Sequence, residues 1–252
     1  MIMLRSALFN VAFFAITFVM TVAATAVRLV APRYVLPVAL AWARCLIVAM
    51  RIICGIRLQV SGLENIPRGA VLIASRHQSA FDTFVWFTLL PRCCYVLKDD
   101  LLRIPLFGSL ITALRMIPVD RGAGGAAIRS LLRQADHAVQ EQRQIVIFPE
   151  GTRSEPGKPG ELQPGVAALA TRTGLPVIPV STDSGLHWGR RAFRKQPGTI
   201  RILIGQPIPA EIGRKAIMTA LEAGMAALDR TVPGEISGLD KPVDNSVKRS
   251  RP

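Results

Sequence analysis

The segment that decides the fold is residues 70–90, which have the sequence AVLIASRHQSAFDTFVWFTLL. A short apolar run, Ala70–Ser75, is followed by a polar turn and then by a longer amphipathic segment, Phe81–Leu90. Short apolar runs closed by turn residues are typical of strands, and longer periodic segments are typical of helices. Residues 70–90 therefore predict a strand, a loop and a helix.

The same alternation continues on both sides of this unit. It indicates an α/β fold in which a largely parallel central sheet of about seven strands is flanked by helices. The predicted strands are Arg57–Ser61, Ala70–Ser75, Cys94–Lys98, Met116–Val119, Gln144–Phe148, Val177–Ser181 and Thr199–Ile204. The predicted helices are Phe81–Leu90, Asp100–Leu114, Ala123–Glu141, Gly165–Thr173 and Pro209–Leu228.

The first 56 residues differ from the rest in composition, because they contain no Asp or Glu. The stretch Ser6–Val27 carries no charge, and as a helix it would span about 33 Å, near the thickness of a bilayer core. A second apolar stretch, Tyr34–Ile56, places Arg44 and Arg51 on one helical face, as in a helix lying at a membrane interface. We predict a membrane anchor in residues 1–56, and the sequence leaves open whether its helices span the bilayer.

Two other interpretations of the N-terminal region remain open. A removable signal peptide is one, because residues 24–26 (Ala-Thr-Ala) resemble a small-residue cleavage site. Arg28 and Arg33 follow at once, and positive charge on this flank favours an uncleaved anchor with the rest of the chain on the cytoplasmic side of the inner membrane. A buried core helix is the alternative for the second stretch, although its arginines would then need partners.

For the remaining chain we predict an α/β domain at residues 57–233 and a polar, disordered tail at residues 234–252. The protein carries 31 Lys and Arg against 17 Asp and Glu, a net charge of +14. A basic chain indicates an anionic partner, either a membrane surface, a nucleic acid or a phosphorylated substrate. Among these partners, the apolar N-terminal region favours a membrane surface. The four cysteines have no metal-binding spacing, so we predict no metal site and expect the cysteines to be reduced and buried.

Polar residues follow three of the predicted strands. Residues 76–82 (RHQSAFD) follow the second strand, residues 120–122 (DRG) the fourth and residues 149–154 (PEGTRS) the fifth. Reactive groups in a parallel sheet collect on loops after the carboxyl ends of the strands. We therefore expect these three loops to converge on one rim of the sheet.

His77 and Asp82 are the candidate catalytic pair. A carboxylate one helical turn beyond a histidine can accept its Nδ1–H, which fixes the tautomer and leaves Nε2 free to take a proton. The chain has no G-x-S-x-G nucleophile motif, so we expect the histidine to activate a substrate hydroxyl. By itself the spacing is a weak signal, because a helix start capped at Ser79 beside an incidental histidine is more common.

Three motifs in order strengthen this hypothesis: His77-x4-Asp82, residues 148–154 (FPEGTRS) and residues 177–180 (VIPV). The set resembles the glycerolipid acyltransferase family, specifically the bacterial 1-acyl-sn-glycerol-3-phosphate acyltransferases. The resemblance covers roughly residues 62–209. Matches to the family's second block are Lys98, Ile104-Pro105, Phe107-Gly108 and Val119-Asp120-Arg121.

The resemblance implies transfer of an acyl group from acyl-CoA or acyl-ACP to the free hydroxyl of lysophosphatidate, giving phosphatidate, without a metal or redox cofactor. It implies that His77 is the general base and that Asp82 orients it. Phosphate and acceptor binding fall on Lys98, Arg121, Glu150, Gly151, Thr152 and Arg153. For Glu150 three roles stay open: orienting Arg153, binding a substrate hydroxyl, or serving as a turn carboxylate.

The chain departs from the family pattern at Arg76, Arg115 and Pro164, which leaves the acceptor open. Glycerol 3-phosphate and a lyso-aminolipid such as lyso-ornithine lipid are alternatives, and a noncatalytic lipid-binding membrane protein is an alternative of another class. Residues 187–195 (HWGRRAFRK) combine basic and aromatic residues, a pattern also found in nucleic-acid binders. Because no groove-reading motif accompanies them, we predict no nucleic-acid partner and favour a membrane-facing loop or a contact for the phosphates of coenzyme A or for acyl carrier protein.

Overall fold

A seven-stranded sheet forms the centre of the computed structural model, which describes residues 1–231 except the side chain of Arg121. The predicted tail at 234–252 lies outside the described residues. The strand order is β1-β7-β6-β2-β5-β3-β4. The strands are β1 (Ile56–Ser61), β2 (Val71–Ser75), β3 (Cys93–Lys98), β4 (Ile117–Val119), β5 (Gln144–Ile147), β6 (Val177–Thr182) and β7 (Gly198–Ile204).

The sheet is largely parallel, as predicted. β2 pairs in parallel with β5 and β6, and β3 pairs in parallel with β4 and β5. β7 runs antiparallel to β6, and β1 runs parallel to β7, so the two strands at one edge are reversed. The carboxyl ends of β2, β3, β4 and β5 therefore lie at the same edge of the sheet.

Helices cover both faces of the sheet, and β2 shows how its residues divide between them. Val71 and Ile73 belong to a core shared with the first four helices of the chain, whereas Leu72 and Ala74 belong to a core shared with helices from its second half. Successive strand residues point to opposite faces, so a strand covered on both sides is apolar throughout. The helices are α1 (Ile2–Val30), α2 (Val35–Ala49), α3 (Asp82–Leu89), α4 (Phe107–Ala113), α5 (Gly125–Gln140), α6 (Gly165–Thr173), α7 (Ser184–His187) and α8 (Arg214–Thr231).

Two predicted helices are interrupted in the structure. The prediction of one helix over Asp100–Leu114 was wrong, because a 3-10 turn at Asp99–Arg103 is separated from α4 by Pro105, and proline disfavours the helical conformation of the residue before it. The predicted helix Pro209–Leu228 is likewise a 3-10 turn followed by α8, with Gly213 between them at φ +84°. The short helix α7 was not predicted.

The two N-terminal helices pack against the α/β domain. Phe9 of α1 and Leu46 of α2 are fully buried in the same hydrophobic core as the sheet, and the backbone N–H of Lys195 donates to Ser6 Oγ at 2.9 Å. The segments Ile2–Val30 and Pro32–Cys54 are each long and apolar enough to cross a bilayer. Apolar side chains on the outer side of α1 remain exposed: Leu4, Leu8, Val11, Phe14, Phe18, Val19 and Val22.

The second apolar stretch combines features of both interpretations that the sequence left open. Arg44 and Arg51 are exposed, whereas Leu46 and Met50 are fully buried against the domain. The helix thus has a core face and an arginine-bearing outer face. The expectation for the cysteines was wrong at one position, because Cys45 on the outer side of α2 is exposed, while Cys54, Cys93 and Cys94 are buried.

Candidate active site

Two of the three predicted loops are joined directly by a hydrogen bond. The backbone N–H of Ser154, in the loop after β5, donates to the backbone oxygen of His77, in the loop after β2, at 2.8 Å. β2 and β5 are neighbouring parallel strands, so their carboxyl ends deliver both loops to the same rim of the sheet. The histidine and the Phe-Pro-Glu-Gly-Thr-Arg motif thus form one site.

His77 and Asp82 are in contact. His77 Nδ1 lies 3.1 Å from Asp82 Oδ2, and the same oxygen accepts the backbone N–H groups of Gln78 at 2.7 Å and Ser79 at 2.8 Å. Asp82 begins α3, and its side chain is almost completely buried. Because a carboxylate can only accept at this position, the His77 proton is placed on Nδ1 and the Nε2 lone pair is left available.

The imidazole of His77 is held by stacking as well as by Asp82. Its ring lies 4.1 Å from the Phe148 ring, between centroids, with an interplanar angle of 18°. Phe148 is the first residue of the loop motif after β5. The alternative of a helix start capped at Ser79 is not formed, because no side chain caps α3; Ser79 Oγ instead accepts the N–H of Phe81 at 3.1 Å in the turn before the helix.

An apolar cavity of about 570 Å³ adjoins the pair. His77, Phe148 and Thr152 contribute to its wall together with Arg153. Most of the remaining wall is apolar and comes from the two N-terminal helices, from β3, and from α4 with the residue that follows it: Met20, Ala24, Val35, Val38, Ala39, Trp42, Val96, Leu97, Phe107, Leu110, Ile111 and Leu114. The volume falls within the range of about 300–1,000 Å³ that is typical of small-molecule sites.

The loop after β5 presents Arg153 beside the pair. Gly151, which has φ +71°, supplies a left-handed backbone that a side chain would strain, and its N–H donates to Phe148 O at 3.0 Å. Arg153 lines the cavity and is half-buried. Burial lowers the pKa of Arg153, the Asp82 carboxylate opposes that effect, and the Arg190 charge adds to it. Arg153 therefore lies within electrostatic reach of the histidine–aspartate pair.

Lys98 and Arg121 come from the second sequence block. Lys98 ends β3, lines the cavity and pairs with Asp100 on the exposed surface; this hydrogen bond and the charge of Lys98 lower the pKa of Asp100. The backbone of Arg121 begins a short 3-10 turn after β4, at the same edge of the sheet. Its side chain is outside the described structure, so its predicted role stays a prediction.

Glu150 is the predicted binding residue that the structure does not bring to the cavity. Its side chain is fully buried, Oε2 accepts the N–H of Gly160 at 2.8 Å, and Oε1 lies 3.6 Å from Arg76 Nη1. Arg76 also donates from Nε and Nη2 to Asp229 Oδ2, at 3.2 and 2.9 Å. These contacts favour the interpretation of Glu150 as a turn carboxylate, which links the loop after β5 through Arg76 to α8.

Two groups of residues in the cavity wall were not among the predicted site residues. Apolar positions of α1 and α2 form part of the wall, whereas the sequence indicated a membrane anchor or, for the second stretch, a core helix. Arg190 and Arg191 also line the cavity, and they belong to the basic run at residues 187–195, for which the sequence favoured a membrane-facing loop or a contact with the acyl donor. Within residues 1–231, no three His, Cys, Asp or Glu side chains gather in a metal-binding group.

The chain is similar in sequence to proteins of known family. Residues 57–183 match the family model described as Acyltransferase. The chain is 37% identical over 205 residues to a 1-acyl-sn-glycerol-3-phosphate acyltransferase of Pseudomonas aeruginosa, covering 81% of this chain and 79% of that protein. It is 32% identical over 158 residues to a protein of the same name from Limnanthes douglasii, covering 62% of this chain and 56% of the relative.

The fold also matches a solved structure. The crystal structure of the 1-acyl-sn-glycerophosphate acyltransferase PlsC from Thermotoga maritima superimposes with a TM-score of 0.76, at 22% identity, over 94% of this chain and 100% of that chain. This match supports the seven-stranded α/β architecture with its two preceding helices. The family match and the 37% identity over most of both chains show that the chain belongs to the acyltransferase family.

Proposed function

We propose that the protein transfers a fatty acyl group from acyl-CoA or acyl-ACP to the free hydroxyl of 1-acyl-sn-glycerol-3-phosphate, giving phosphatidate. The observation that carries this proposal is that His77, which is paired with the buried Asp82, lies in the wall of a mostly apolar cavity that Arg153 also lines. The names of the relatives from Pseudomonas and Limnanthes support the same acceptor.

The chemistry requires one proton carrier. In the proposed reaction Nε2 of His77 takes the hydroxyl proton while the acceptor oxygen bonds to the thioester carbonyl carbon. The tetrahedral intermediate then collapses, the carbon–sulfur bond breaks, and the proton passes from His77 to the departing thiolate. Asp82 stabilises the positive imidazolium that exists between these two steps, and Phe148 holds the ring in place.

The cavity suits an acyl chain. Burying an alkyl chain contributes about 0.8 kcal/mol for each methylene removed from water, and the wall formed by α1, α2 and α4 offers the required apolar surface. Thr152 and Arg153 add polar groups near His77 in the same wall. This arrangement supports a substrate that is apolar along most of its length and polar beside the reacting hydroxyl.

The proposal includes attachment to the cytoplasmic membrane, with the α/β domain on the cytoplasmic side. The exposed apolar side chains of α1 recur with helical spacing on one side, as Leu4, Leu8, Val11, Phe18 and Val22 show. Such a face supports contact with lipid acyl chains. A lipid acceptor could then reach the cavity wall that the same helices form.

The function is tested with purified protein and a panel of acceptors, each assayed in parallel with acyl-CoA and acyl-ACP. We expect lysophosphatidate to be acylated with a higher kcat/KM than glycerol 3-phosphate, a lyso-aminolipid or monoacylglycerol. Preference for one of the other acceptors would replace lysophosphatidate in the proposal. Lipid binding without acylation of any acceptor would support the noncatalytic alternative instead.

Membrane attachment gives the first expected result. The protein should sediment with membranes and stay there in a high-salt wash, because salt screens charge contacts and leaves apolar contacts in place. Substituting both Phe14→Asp and Phe18→Asp on the exposed side of α1 should move it toward the soluble fraction. A soluble wild-type product that begins near residue 27 would contradict the anchor and support a cleaved signal peptide.

Arg153→Ala should raise KM for lysophosphatidate by about 10- to 150-fold, with a much smaller effect on KM for the thioester. A charge-assisted hydrogen bond contributes about 1.5–3 kcal/mol, and each 1.4 kcal/mol is a factor of ten. Arg153→Lys should recover part of the loss, because lysine keeps the charge and lacks the two-pronged guanidinium. Steady-state kinetics with each substrate varied in turn give both constants.

Monoacylglycerol, which lacks the phosphate, is the control acceptor for this substitution. Its KM should change little in Arg153→Ala if the guanidinium binds phosphate. An equal rise in KM for monoacylglycerol and lysophosphatidate would mean that Arg153 supports the loop after β5 and that another group binds the phosphate.

A further inference from the structure

Two further arginines line the cavity from a loop outside the recognised motifs. Arg190 and Arg191 belong to the segment that follows α7, and both share the cavity wall with His77 and Arg153. Arg190 Nη1 is 3.4 Å from the backbone oxygen of Arg153. The loop after α7 and the loop after β5 therefore meet at the polar part of the cavity.

The three arginines form a positive cluster in the wall of the cavity. Within residues 1–231 none of Arg153, Arg190 and Arg191 has a Lys/Arg–carboxylate ion pair within 4.0 Å. The Asp82 carboxylate already accepts hydrogen bonds from His77 and from two backbone N–H groups. Arg190 and Arg191 are exposed, so solvent screens part of the repulsion between these like charges, and an anion bound among the three guanidinium groups would offset the rest.

The loop that carries these arginines is fixed on α1. Lys195 is buried, and its Nζ donates to Asn10 Oδ1 at 3.0 Å and to the backbone oxygens of Ala192 and Phe193. Trp188 packs edge-on against Phe9, with centroids 5.3 Å apart. Both ends of the basic loop are therefore held by contacts with α1.

The backbone of Arg191 is in a conformation that non-glycine residues avoid. Its φ is +55°, in the left-handed region. Such backbone strain persists where the surrounding structure holds it and is concentrated at functional sites. In this loop the strained residue is also one of the two whose side chains line the cavity.

We propose that Arg190 and Arg191 join Arg153 in binding the acceptor phosphate, and that this arginine cluster selects a phosphate monoester over a phosphodiester headgroup. The inference rests on the proposed function and adds a specificity element to it. A monoester near neutral pH carries between one and two negative charges and three terminal oxygens. A diester carries one charge and two terminal oxygens, so it leaves part of a three-guanidinium site unpaired.

The test compares Arg190→Ala and Arg191→Gly with Arg194→Ala. Glycine tolerates the positive φ at position 191, so it removes the side chain without adding backbone strain. Arg194 is an exposed arginine of the same loop that does not belong to the cavity wall, which makes it a matched control for surface charge. Thermal unfolding of each variant checks the fold.

For each variant, KM is measured for lysophosphatidate and for the thioester, and lysophosphatidylglycerol is used as a competing phosphodiester to give Ki. We expect Arg190→Ala to raise KM for lysophosphatidate about tenfold, corresponding to the loss of one charge-assisted contact at a partly exposed site. Arg191→Gly should raise it in the same direction. Ki for lysophosphatidylglycerol should rise less than KM for lysophosphatidate, and Arg194→Ala should leave all three constants within about twofold of wild type.

Several outcomes would overturn the inference. A rise confined to KM for the thioester would assign the two arginines to phosphates of the acyl donor. An equal loss in Arg194→Ala would indicate a general effect of surface charge at the membrane, and unchanged constants in both cavity variants would remove the arginines from the site. If wild-type protein acylates lysophosphatidate in these cases, only this inference fails; if it does not, the proposed function fails first.

Discussion

His77→Ala should lower kcat by about 10²–10⁴-fold, the range typical of a general base. The imidazole is the group beside the cavity that combines an available Nε2 with a partner, Asp82, that stabilises its protonated form. Without it, the acceptor hydroxyl must lose its proton to water, which is not held in position for the transfer. KM for either substrate should change far less than kcat, because most of the cavity wall is formed by other side chains.

The measurement is kcat of the purified variant at saturating lysophosphatidate and thioester, together with its thermal unfolding midpoint. The control is His137→Ala, which removes an exposed histidine on α5, on the other face of the sheet, and should leave kcat unchanged. A folded His77→Ala protein with kcat near that of wild type would exclude proton transfer by this histidine.

The strands could be predicted from the sequence because helices cover both faces of the central ones. β2 and β6 are buried at every position, so each begins in the sequence with four consecutive apolar residues, at 71–74 and 177–180. The breaks at Pro105 and Gly213 were missed, since the hydrophobic periodicity of the flanking segments continues through both positions. Apolar spacing predicts which face is buried, whereas a break depends on a single backbone conformation.

The burial of individual residues in the N-terminal helices could not be predicted from the sequence. Phe9 and Phe14 belong to the same uncharged stretch, yet Phe9 is fully buried against the domain and Phe14 is 70% exposed. Both a protein core and a lipid bilayer remove apolar side chains from water, so composition cannot distinguish them. The α1 and α2 residues that form cavity wall were therefore assigned to the membrane, and their contribution to the cavity appeared only in the packed structure.

In the candidate site, a contact between residues that are close in the sequence could be predicted, whereas contacts between residues that are far apart could not. His77 and Asp82 are five residues apart, and the turn between them brings them together. Arg76 and Asp229 are 153 residues apart, and Arg190 meets Arg153 across 37 residues. Such pairs depend on the order of strands in the sheet, which the strand–helix alternation predicts only as a class of fold.

Asp82→Asn should lower kcat by about 10²–10³-fold with little loss of stability. Asp82 Oδ2 accepts two backbone N–H groups as well as the His77 Nδ1–H, so the asparagine amide should keep its oxygen there, because an NH₂ group would face two donors. The tautomer of His77 is then retained, and what is lost is the negative charge that stabilises the imidazolium. Two charges about 4 Å apart interact by about 4 kcal/mol at an effective dielectric constant of 20, which corresponds to about 10³-fold.

Asp82→Ala separates this electrostatic role from a positioning role. It removes the charge and also leaves the N–H groups of Gln78 and Ser79 without their acceptor, at a cost of about 1–3 kcal/mol for each buried group. We therefore expect a lower unfolding midpoint and a lower kcat than in Asp82→Asn. The ¹⁵N chemical shifts of His77 report the tautomer in each variant. If Asp82→Asn moves the proton from Nδ1 to Nε2, Asp82 acts mainly by orienting His77; if the proton stays on Nδ1 and kcat still falls, the carboxylate acts through its charge. A wild-type kcat in Asp82→Asn would show that neither role limits the reaction.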